Sequence, residues 1–331
     1  MKFIHLSDVH LSTSLEVDFK INDYIRKTLW SSFEEIMMEN RNSDFALIAG
    51  DLYEKNNFYK KDYDKLFNII SNFEKPVYYV NGNHDFIDEN FRMYFNDKPN
   101  NLYLFQSDKL KYYEIENVRI YGLSYFDRNI NREIDYDIDL DRNYYNILLL
   151  HADVSSNSNY LKVNTKELSK LNFDYVALGH IHKRENFGNN IIYSGSIEPM
   201  SFKNSGKFGY YKVENSNIKF INSQKIFFEN EIINTEKISE EEFFSNINEK
   251  YNENTILRLK LKGKKQNFKI DYNKFNQKYV EVEEDYDEYN YDYLSNRYPN
   301  SILSKFINRM EGKNKQALDI GIEAILRSKN E

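Results

Sequence analysis

The stretch KFIHLSDVH, from Lys2 to His10, decides the fold class. Its first half, Lys2–Leu6, is a short apolar run that is typical of a buried strand. Asp8 and His10 follow this run directly. Because ligands in α/β proteins bind where strands end at one edge of a sheet, a carboxylate and an imidazole at this place predict a site.

The same pattern occurs four more times along the chain. The other strand-like runs are Phe45–Ala49, Val77–Val80, 147–150 and 175–178. The polar residues that follow them are Gly50-Asp51, Gly82-Asn83-His84-Asp85, His151 and Gly179-His180-Ile181-His182. Five of the six histidines therefore lie at predicted strand ends, whereas His5 lies inside the first strand and is predicted to be a core residue.

Nitrogen and oxygen ligands that converge from five strand ends predict a site for two divalent cations. Two cations about 3.5–4 Å apart would supply a water of lowered pKa and neutralise the charge that develops during phosphodiester hydrolysis. The predicted ligands are Asp8, His10 and His182 for the first metal, Asn83, His151 and His180 for the second, and Asp51 as the bridge. This mixture of imidazole, carboxylate and carboxamide favours manganese, iron or zinc over magnesium.

His84 stands beside a predicted ligand but is not needed to fill either coordination sphere. We predict that it donates a hydrogen bond to a phosphoryl oxygen or protonates the leaving 3′-oxygen. Asp85 is predicted to orient His84 or to hold the turn. The three glycines of the motifs, Gly50, Gly82 and Gly179, are predicted to let the backbone turn sharply.

Composition excludes several classes of protein. The chain has 331 residues and no cysteine, so it has no disulfide framework, thiolate metal site or cysteine nucleophile. No apolar run approaches the roughly 20 residues of a membrane span, and we expect a cytoplasmic protein without a membrane segment. The net charge of −7 argues against global attraction to nucleic acid, although bound cations and local basic patches would offset it.

The first two thirds of the chain alternate apolar runs with amphipathic segments. Helical spacing predicts helices over 18–41, 59–73 and 89–96, and several strands then follow without long helices between them. This order predicts an α/β fold in which two mixed sheets are sandwiched between helices, a four-layer αββα arrangement. A composition shift near residues 225–235 predicts a domain boundary, and we expect domains over 1–228, 229–298 and 299–331.

The second part of the chain is predicted to be a small α+β capping domain followed by terminal helices. Ser239 and Glu242 form a capping-box pattern that predicts the start of a helix. The alternating run Thr255–Lys262 predicts a strand with a basic outer face, which is either a DNA contact or an ordinary solvated surface. That face comprises Arg258, Lys260, Lys262, Lys264 and Lys265. An acidic stretch over 281–292 predicts a solvated or flexible segment, and two amphipathic helices are predicted on either side of Gly312.

The five motifs resemble those of the calcineurin-like metallophosphoesterase superfamily, one for one, over residues 1–185. Within it the chain is similar to the SbcD-type nuclease subunit of bacterial double-strand-break repair, the counterpart of the Mre nuclease. The stretches that carry this similarity are residues 2–11, the loop 193–202 and the strand 206–213. Two residues depart from the pattern of the family. Glu54 stands where archaeal relatives have a second active-site histidine, and Ala152 stands where glycine is common.

The resemblance implies a manganese-dependent DNase with 3′→5′ exonuclease and single-strand endonuclease activity that works as a homodimer in DNA repair. It also implies that the capping domain contacts DNA. The terminal helices would dock onto the coiled coil of an SMC-like ABC ATPase of the SbcC type, or else pack on the cap.

Two alternative functions stay open at this stage. The same site would suit a phosphatase or cyclic-nucleotide phosphodiesterase that acts on small substrates, or a non-catalytic module in which the metals are structural.

Lys183 and Arg184 directly follow the last ligand and are predicted to lie near the scissile phosphate. The aromatic residues Phe91, Tyr94 and Phe95 either form a dimer interface or pack inward.

Overall fold

The structure is a computed structural model. It describes residues 1–15, 19–134, 136, 138–155, 158–188, 190–236, 238–263, 269–286, 289 and 291–328. The chain forms two compact units, Met1–Phe227 and Phe228–Glu331. The division into three domains at 228 and 298 stays a prediction.

Unit 1 contains two six-stranded mixed sheets. In spatial order, the first sheet consists of β12 (Asn217–Asn222), β11 (Gly209–Glu214), β1 (Lys2–Leu6), β2 (Phe45–Ala49), β3 (Val77–Val80) and β4 (Leu102–Leu104). The second consists of β5 (Lys111–Ile115), β6 (Val118–Gly122), β7 (Tyr145–His151), β8 (Tyr175–Gly179), β10 (Ile191–Tyr193) and β9 (Glu185–Asn186). The strands β1 to β4 run parallel, as do β6, β7, β8 and β10, so their carboxyl ends lie at one edge of each sheet.

The two sheets pack face to face around one hydrophobic core. Phe3 and Leu47 of the first sheet belong to the same buried cluster as Leu149 and Ala177 of the second. Alternate residues along a strand point to opposite faces, and Leu148, the neighbour of Leu149, belongs to a second cluster on the outer face. Both faces of the central strands are therefore covered.

Helices supply the outer layers of unit 1. They are α1 (Phe19–Glu39), α2 (Lys60–Phe73), α3 (Glu89–Phe95) and α4 (Thr165–Leu171). Leu168 of α4 packs in the outer cluster of the second sheet. Asn40, next to α1, donates a hydrogen bond to the hydroxyl of Tyr210 at 2.9 Å. Tyr210 points to the outer face of the first sheet, because its neighbour Tyr211 belongs to the core between the sheets. This arrangement confirms the predicted two-sheet sandwich flanked by helices.

The three aromatic residues considered for a dimer interface pack largely inward. Phe91 and Phe95 are buried, and Tyr94 stacks on Tyr63 of α2 with ring centroids 4.4 Å apart. Homodimer formation therefore stays a prediction that these side chains do not support.

Unit 2 contains a small α+β fold. Its sheet has the order β13 (Phe227–Asn234), β14 (Thr255–Lys262) and β15 (Tyr279–Glu284). The helix α5 (Glu240–Lys250) begins at the capping box that the sequence predicts, in which Ser239 and Glu242 hydrogen-bond reciprocally. Phe243 of α5 packs against Leu257 and Leu259 of β14. The predicted strand over Thr255–Lys262 is confirmed.

Three further α-helices follow the small sheet in the described residues of unit 2. They are α6 (Tyr291–Arg297), α7 (Ile302–Met310) and α8 (Lys315–Arg327), and the last two confirm the predicted pair around Gly312. Leu303 and Ile307 of α7 share a buried cluster with Leu318 and Ile322 of α8. The acidic stretch over 281–292 is not irregular throughout, because its first four residues belong to β15 and its last two to α6. In the described part of the chain, no helix is long and apolar enough to cross a membrane.

Candidate metal centre

The predicted ligands lie together where the strands of both sheets end. Asp8 follows β1, and its amide donates to the carbonyl of Gly50 after β2 at 3.1 Å. His151 ends β7 opposite Gly179, the last residue of β8. Three groups of side chains have ligand atoms within 4.8 Å of one another. These groups are Asp8, His10 and His182; Asp8, Asp51 and His151; and His10, Asp51 and His84.

The first predicted ligand set is compact. Nε2 of His10 lies 3.1 Å from Nε2 of His182, which is 3.9 Å from Oδ1 of Asp8. Asp8 is fully buried, whereas His182 is 34% exposed and so lies at the mouth of the site. Two imidazole nitrogens that face each other beside a carboxylate form a donor set that suits a transition-metal cation.

The second predicted set is arranged around Asn83. Its Oδ1 lies 2.9 Å from Nε2 of His151 and 3.2 Å from Nδ1 of His180. The other ring nitrogen of His151 donates to the carbonyl of Ala49 at 2.9 Å. That hydrogen bond fixes the tautomer of a neutral ring, so Nε2 of His151 would carry the lone pair for a metal.

Asp51 lies between the two sets, as the predicted bridge requires. Its Oδ2 is 3.8 Å from Nε2 of His10 and 3.3 Å from Nε2 of His151. Its Oδ1 accepts a hydrogen bond from the backbone amide of His84 at 2.8 Å. One carboxylate oxygen therefore faces a ligand from each predicted metal position.

The electrostatics of the centre suit cations. Burial lowers the pKa of His180 to about 4, with a further contribution from the charge of His151, and burial also lowers the pKa of His182. These two rings are therefore neutral at pH 7, as ligation requires. Burial also opposes protonation of His151, but the nearby Asp51 outweighs it and raises the pKa of His151 to about 9. The buried carboxylates thus create a negative potential that attracts positive charge.

His84 and the carboxylate of Glu54 form a pair at the edge of the centre. Oε1 of Glu54 lies 2.8 Å from Nδ1 of His84 and 2.8 Å from Nδ1 of His10. Burial raises the pKa of Glu54, but the hydrogen bonds from His10 and His84 outweigh burial and lower it to about 2. The sequence assigns no role to Glu54 and marks it only as a departure from the motif pattern of the resembling family. Its position three residues after the bridging Asp51 is the local signal that it lies in the site.

The contacts of Asp85 favour the second of its two predicted roles. Its carboxylate accepts hydrogen bonds from the amide of Gly82 at 2.6 Å, the amide of Leu52 at 2.6 Å and the hydroxyl of Tyr79 at 2.5 Å. All three bonds fasten the turn that carries Asn83 and His84. The His84 ring instead pairs with Glu54.

The glycines of the motifs have different functions. Gly50 has φ +84°, a left-handed conformation that allows the predicted sharp turn. Gly82 and Gly179 do not have positive φ, so the same explanation is wrong for them. A Cβ on Gly82 would lie 2.3 Å from Oδ1 of Asp51, and one on Gly179 would lie 1.9 Å from the carbonyl oxygen of Ala49. These two glycines allow close approach of neighbouring chain segments.

His5 is a core residue, as predicted. It is fully buried in β1, and its Nδ1 lies 3.0 Å from the hydroxyl of Tyr175. Burial lowers the pKa of His5 to about 3, so its ring is neutral.

The loop that follows β10 contains a buried carboxyl group, Glu198. It accepts hydrogen bonds from the hydroxyl of Ser32 in α1 at 2.6 Å and from the amides of Lys225 at 2.9 Å and Ile226 at 3.0 Å. Burial raises its pKa to about 7 in spite of these bonds. Glu198 therefore ties this loop to α1 and to the end of unit 1.

Lys183 and Arg184, which were predicted to contact DNA, line a cleft beside the centre. The cleft has a volume of about 350 Å³ and is also lined by Lys207 and Glu185. The guanidinium of Arg184 lies over the ring of Phe220, 4.5 Å from its centroid. Because these residues come directly after His182, the cleft offers positive charge next to the predicted metal ligands.

The basic face predicted on β14 is neutralised at two of its described residues, Arg258 and Lys260. The parallel register of β14 and β15 places Arg258 opposite Glu281 and Lys260 opposite Glu283. The resulting ion pairs have N–O distances of 2.9 and 2.7 Å. Lys262 is exposed at the end of the strand, and Lys264 and Lys265 lie outside the described residues. DNA contact by Arg258, Lys260 and Lys262 stays a prediction.

The family model of the calcineurin-like phosphoesterases matches residues 1–184, more than half of the chain. The matched region contains every predicted metal ligand. The chain therefore belongs to the calcineurin-like phosphoesterase family.

Two relatives show the range of proteins that the chain is similar to. YhaO of Bacillus subtilis (strain 168), an uncharacterized metallophosphoesterase, is 29% identical over 244 residues, which cover 66% of this chain and 58% of YhaO. The SbcD subunit of the nuclease SbcCD from Staphylococcus epidermidis is 28% identical over 247 residues, which cover 64% of this chain and 65% of that subunit. The chain thus spans about three fifths of the length of these relatives.

Similar solved structures include the protein TT1561 of Thermus thermophilus, with a TM-score of 0.41 and 12% identity over 67% of this chain and 98% of that one. A dimetal phosphatase from Danio rerio has a TM-score of 0.40 and 12% identity over 64% of this chain and 91% of that one.

Proposed function

We propose that the chain is a two-metal phosphodiesterase that acts on DNA, as a 3′→5′ exonuclease and single-strand endonuclease of the SbcD or Mre type. The observation that carries this proposal is the position of Asp51. A single oxygen of its carboxylate faces His10 on one side and His151 on the other, at 3.8 and 3.3 Å. This placement between the two predicted ligand sets supports a carboxylate shared by two cations.

The residues of the centre fit two divalent cations. Asp8, His10 and His182 would hold one, Asn83, His151 and His180 the other, and Asp51 both. Bound there, the cations would supply a water that loses its proton near neutral pH and would offset negative charge on phosphoryl oxygens. The mixture of imidazole, carboxamide and carboxylate ligands suits manganese, iron or zinc. Manganese is the metal that we propose among these, because the resemblance to SbcD-type nucleases implies it.

His84 is the group that we propose to act on the substrate. It is 29% exposed at the edge of the centre, and its backbone amide is fixed by Asp51. Its ring would donate a hydrogen bond to a phosphoryl oxygen or pass a proton to the leaving 3′-oxygen. Asp85 would hold the turn that presents His84 but would not touch the substrate.

Two observations favour DNA as the substrate. The cleft beside His182 is lined by Lys183, Arg184 and Lys207, which would bind successive phosphates of a strand. One relative, 28% identical, is a subunit of a nuclease. By the same similarity we propose a cytoplasmic protein that works as a homodimer in double-strand-break repair. Its partner would be an SMC-like ABC ATPase docked on the C-terminal helices α7 and α8.

A second candidate is a phosphatase or cyclic-nucleotide phosphodiesterase for small substrates. The observation that favours it is the pairing of Arg258 and Lys260 with Glu281 and Glu283, which removes much of the positive charge expected of a DNA-contacting strand. Unit 1 would then carry the whole activity.

The test is manganese-dependent release of nucleotides from end-labelled duplex DNA, with bis-p-nitrophenyl phosphate as the small diester in parallel. We expect shortening of DNA from the 3′ end, abolished by EDTA and by His84→Asn. Turnover of the small diester while DNA stays intact, with and without an ATPase partner, would instead support the second candidate.

A further inference from the structure

Glu54 is a carboxylate that the proposed chemistry does not use, yet it touches two of the residues that the chemistry needs. Its side chain is 19% exposed and lies between the rings of His10 and His84. The backbone fixes its position, because the amide of Glu54 donates to the carbonyl of Leu11 at 2.9 Å. The amide of Lys55, the next residue, donates to the carbonyl of His84 at 3.3 Å.

A single carboxylate oxygen of Glu54 accepts hydrogen bonds from the rings of both His10 and His84. Oε1 lies 2.8 Å from Nδ1 of His10 and 2.8 Å from Nδ1 of His84. An ionised carboxylate has only acceptors, so both ring nitrogens donate their N–H to it. The two rings meet edge to face, with centroids 4.8 Å apart and planes at 78°.

These two hydrogen bonds determine which ring nitrogen is available elsewhere. In His10 the remaining nitrogen, Nε2, is the atom that lies 3.1 Å from Nε2 of His182 and 3.8 Å from Oδ2 of Asp51. In His84 the remaining nitrogen lies on the side of the ring away from Glu54. A carboxylate bonded to the outer nitrogen of a ligand histidine orients the ring and makes it a better ligand.

We propose that Glu54 is a positioning residue that orients a metal ligand, His10, and the substrate-directed His84 through the same carboxylate oxygen. The inference rests on the proposed function of the centre and adds a coupling within it. Loss of Glu54 would weaken metal binding through His10 and slow turnover through His84.

The first experiment measures manganese binding without substrate, by calorimetric titration of the full chain. Removal of a carboxylate bonded to a ligand histidine typically weakens binding about 10- to 100-fold, and we expect this for one of two sites in Glu54→Ala. The matched control is Glu231→Ala, because Glu231 is 27% exposed, accepts from Lys250 and Tyr251, and lies outside unit 1. The control should bind manganese as the wild type does.

The second experiment measures kcat and KM for bis-p-nitrophenyl phosphate at saturating manganese. We expect Glu54→Ala to lower kcat at least about tenfold with little change in KM, because the misplaced His84 acts in the transition state. Glu54→Gln should recover most of kcat, since its amide oxygen can occupy the position of Oε1. In a His84→Asn background, Glu54→Ala should change kcat by less than about twofold, because the two residues act together.

The outcomes separate the inference from the proposed function. If the wild type binds no manganese or hydrolyses neither diester nor DNA, the proposed function fails. If the wild type does both and Glu54→Ala matches it in either manganese affinity or kcat, the bridging role is overturned and the proposed function stands. Independent losses from Glu54→Ala and His84→Asn would also overturn it.

Discussion

Gly179 lies where the end of β8 touches the end of β2, and the variant Gly179→Ala tests whether this contact builds the metal centre. A Cβ at this position would lie 1.9 Å from the carbonyl oxygen of Ala49 and 2.8 Å from Cβ of Ser7. Neither atom belongs to the flexible end of a long side chain. The substitution therefore has to separate the two strand ends.

The size of the effect follows from the geometry. Ordinary contact begins at 3.4 Å, so the Cβ and the oxygen of Ala49 must move apart by about 1.5 Å. Overpacking of this kind costs about 1–3 kcal/mol, and we expect the upper end because backbone must move. The same oxygen accepts the hydrogen bond of His151 at 2.9 Å, so the ligand moves with it. A misplacement of about 1 Å can lower activity about 100-fold.

Trp30 provides the assay for stability. It is the single tryptophan of the chain and lies in α1, so its fluorescence during urea unfolding follows unit 1. The control is Gly188→Ala. A Cβ there would meet nothing within 4 Å, so only the left-handed φ of +85° is unfavourable, at a cost of about 1 kcal/mol. We expect Gly179→Ala to lose about 2 kcal/mol more than the control and to hydrolyse the small diester about 100-fold more slowly. Equal stability and equal turnover of the two variants would refute the reasoning.

Three further predictions concern single side chains. His84→Asn should bind manganese like the wild type but lower kcat at least about 100-fold, and unchanged kcat would contradict its assigned role. Asp85→Ala leaves two buried amides and one hydroxyl without their acceptor, so urea unfolding followed by Trp30 should show a loss of roughly 3–5 kcal/mol; a loss under about 1 kcal/mol would contradict the turn-holding role. The raised pKa of Glu198, about 7, means that its stabilisation is complete below its unfolded pKa of 4.5 and is lost as the pH rises through 7. Ionisation of Glu198 should therefore lower the unfolding free energy of the wild type by roughly 3 kcal/mol between pH 4.5 and 8, and Glu198→Gln should lack this contribution. Parallel curves of unfolding free energy against pH for the variant and the wild type would exclude this.

The ligands could be predicted from the sequence because each follows a strand directly. Asp8, Asp51 and His151 stand within two residues of an apolar run, and parallel strands that end at one edge bring such residues together. The order of strands and helices likewise predicted the two-sheet sandwich. Local patterns were sufficient for these features.

The remaining features depend on contacts between distant segments. Glu54 reaches His10 only because residues 11 and 53 pair across a bridge, and no local pattern indicates that pairing. The need for glycine at 179 arises from the approach of one sheet to the other. The neutralisation of Arg258 and Lys260 depends on the register that places acidic residues of β15 opposite them. Each of these features needs a relative position of two segments that neither segment encodes alone.

The most direct test of the central claim is electron paramagnetic resonance of the purified chain titrated with manganese. Two ions held about 3.5–4 Å apart by a shared carboxylate are magnetically coupled. We predict that two manganese ions bind per chain with the broadened spectrum of a coupled pair, and that Asp51→Asn loses the coupling. Binding of a single ion, or of two ions with the separate six-line spectra of isolated manganese, would contradict the shared-carboxylate centre.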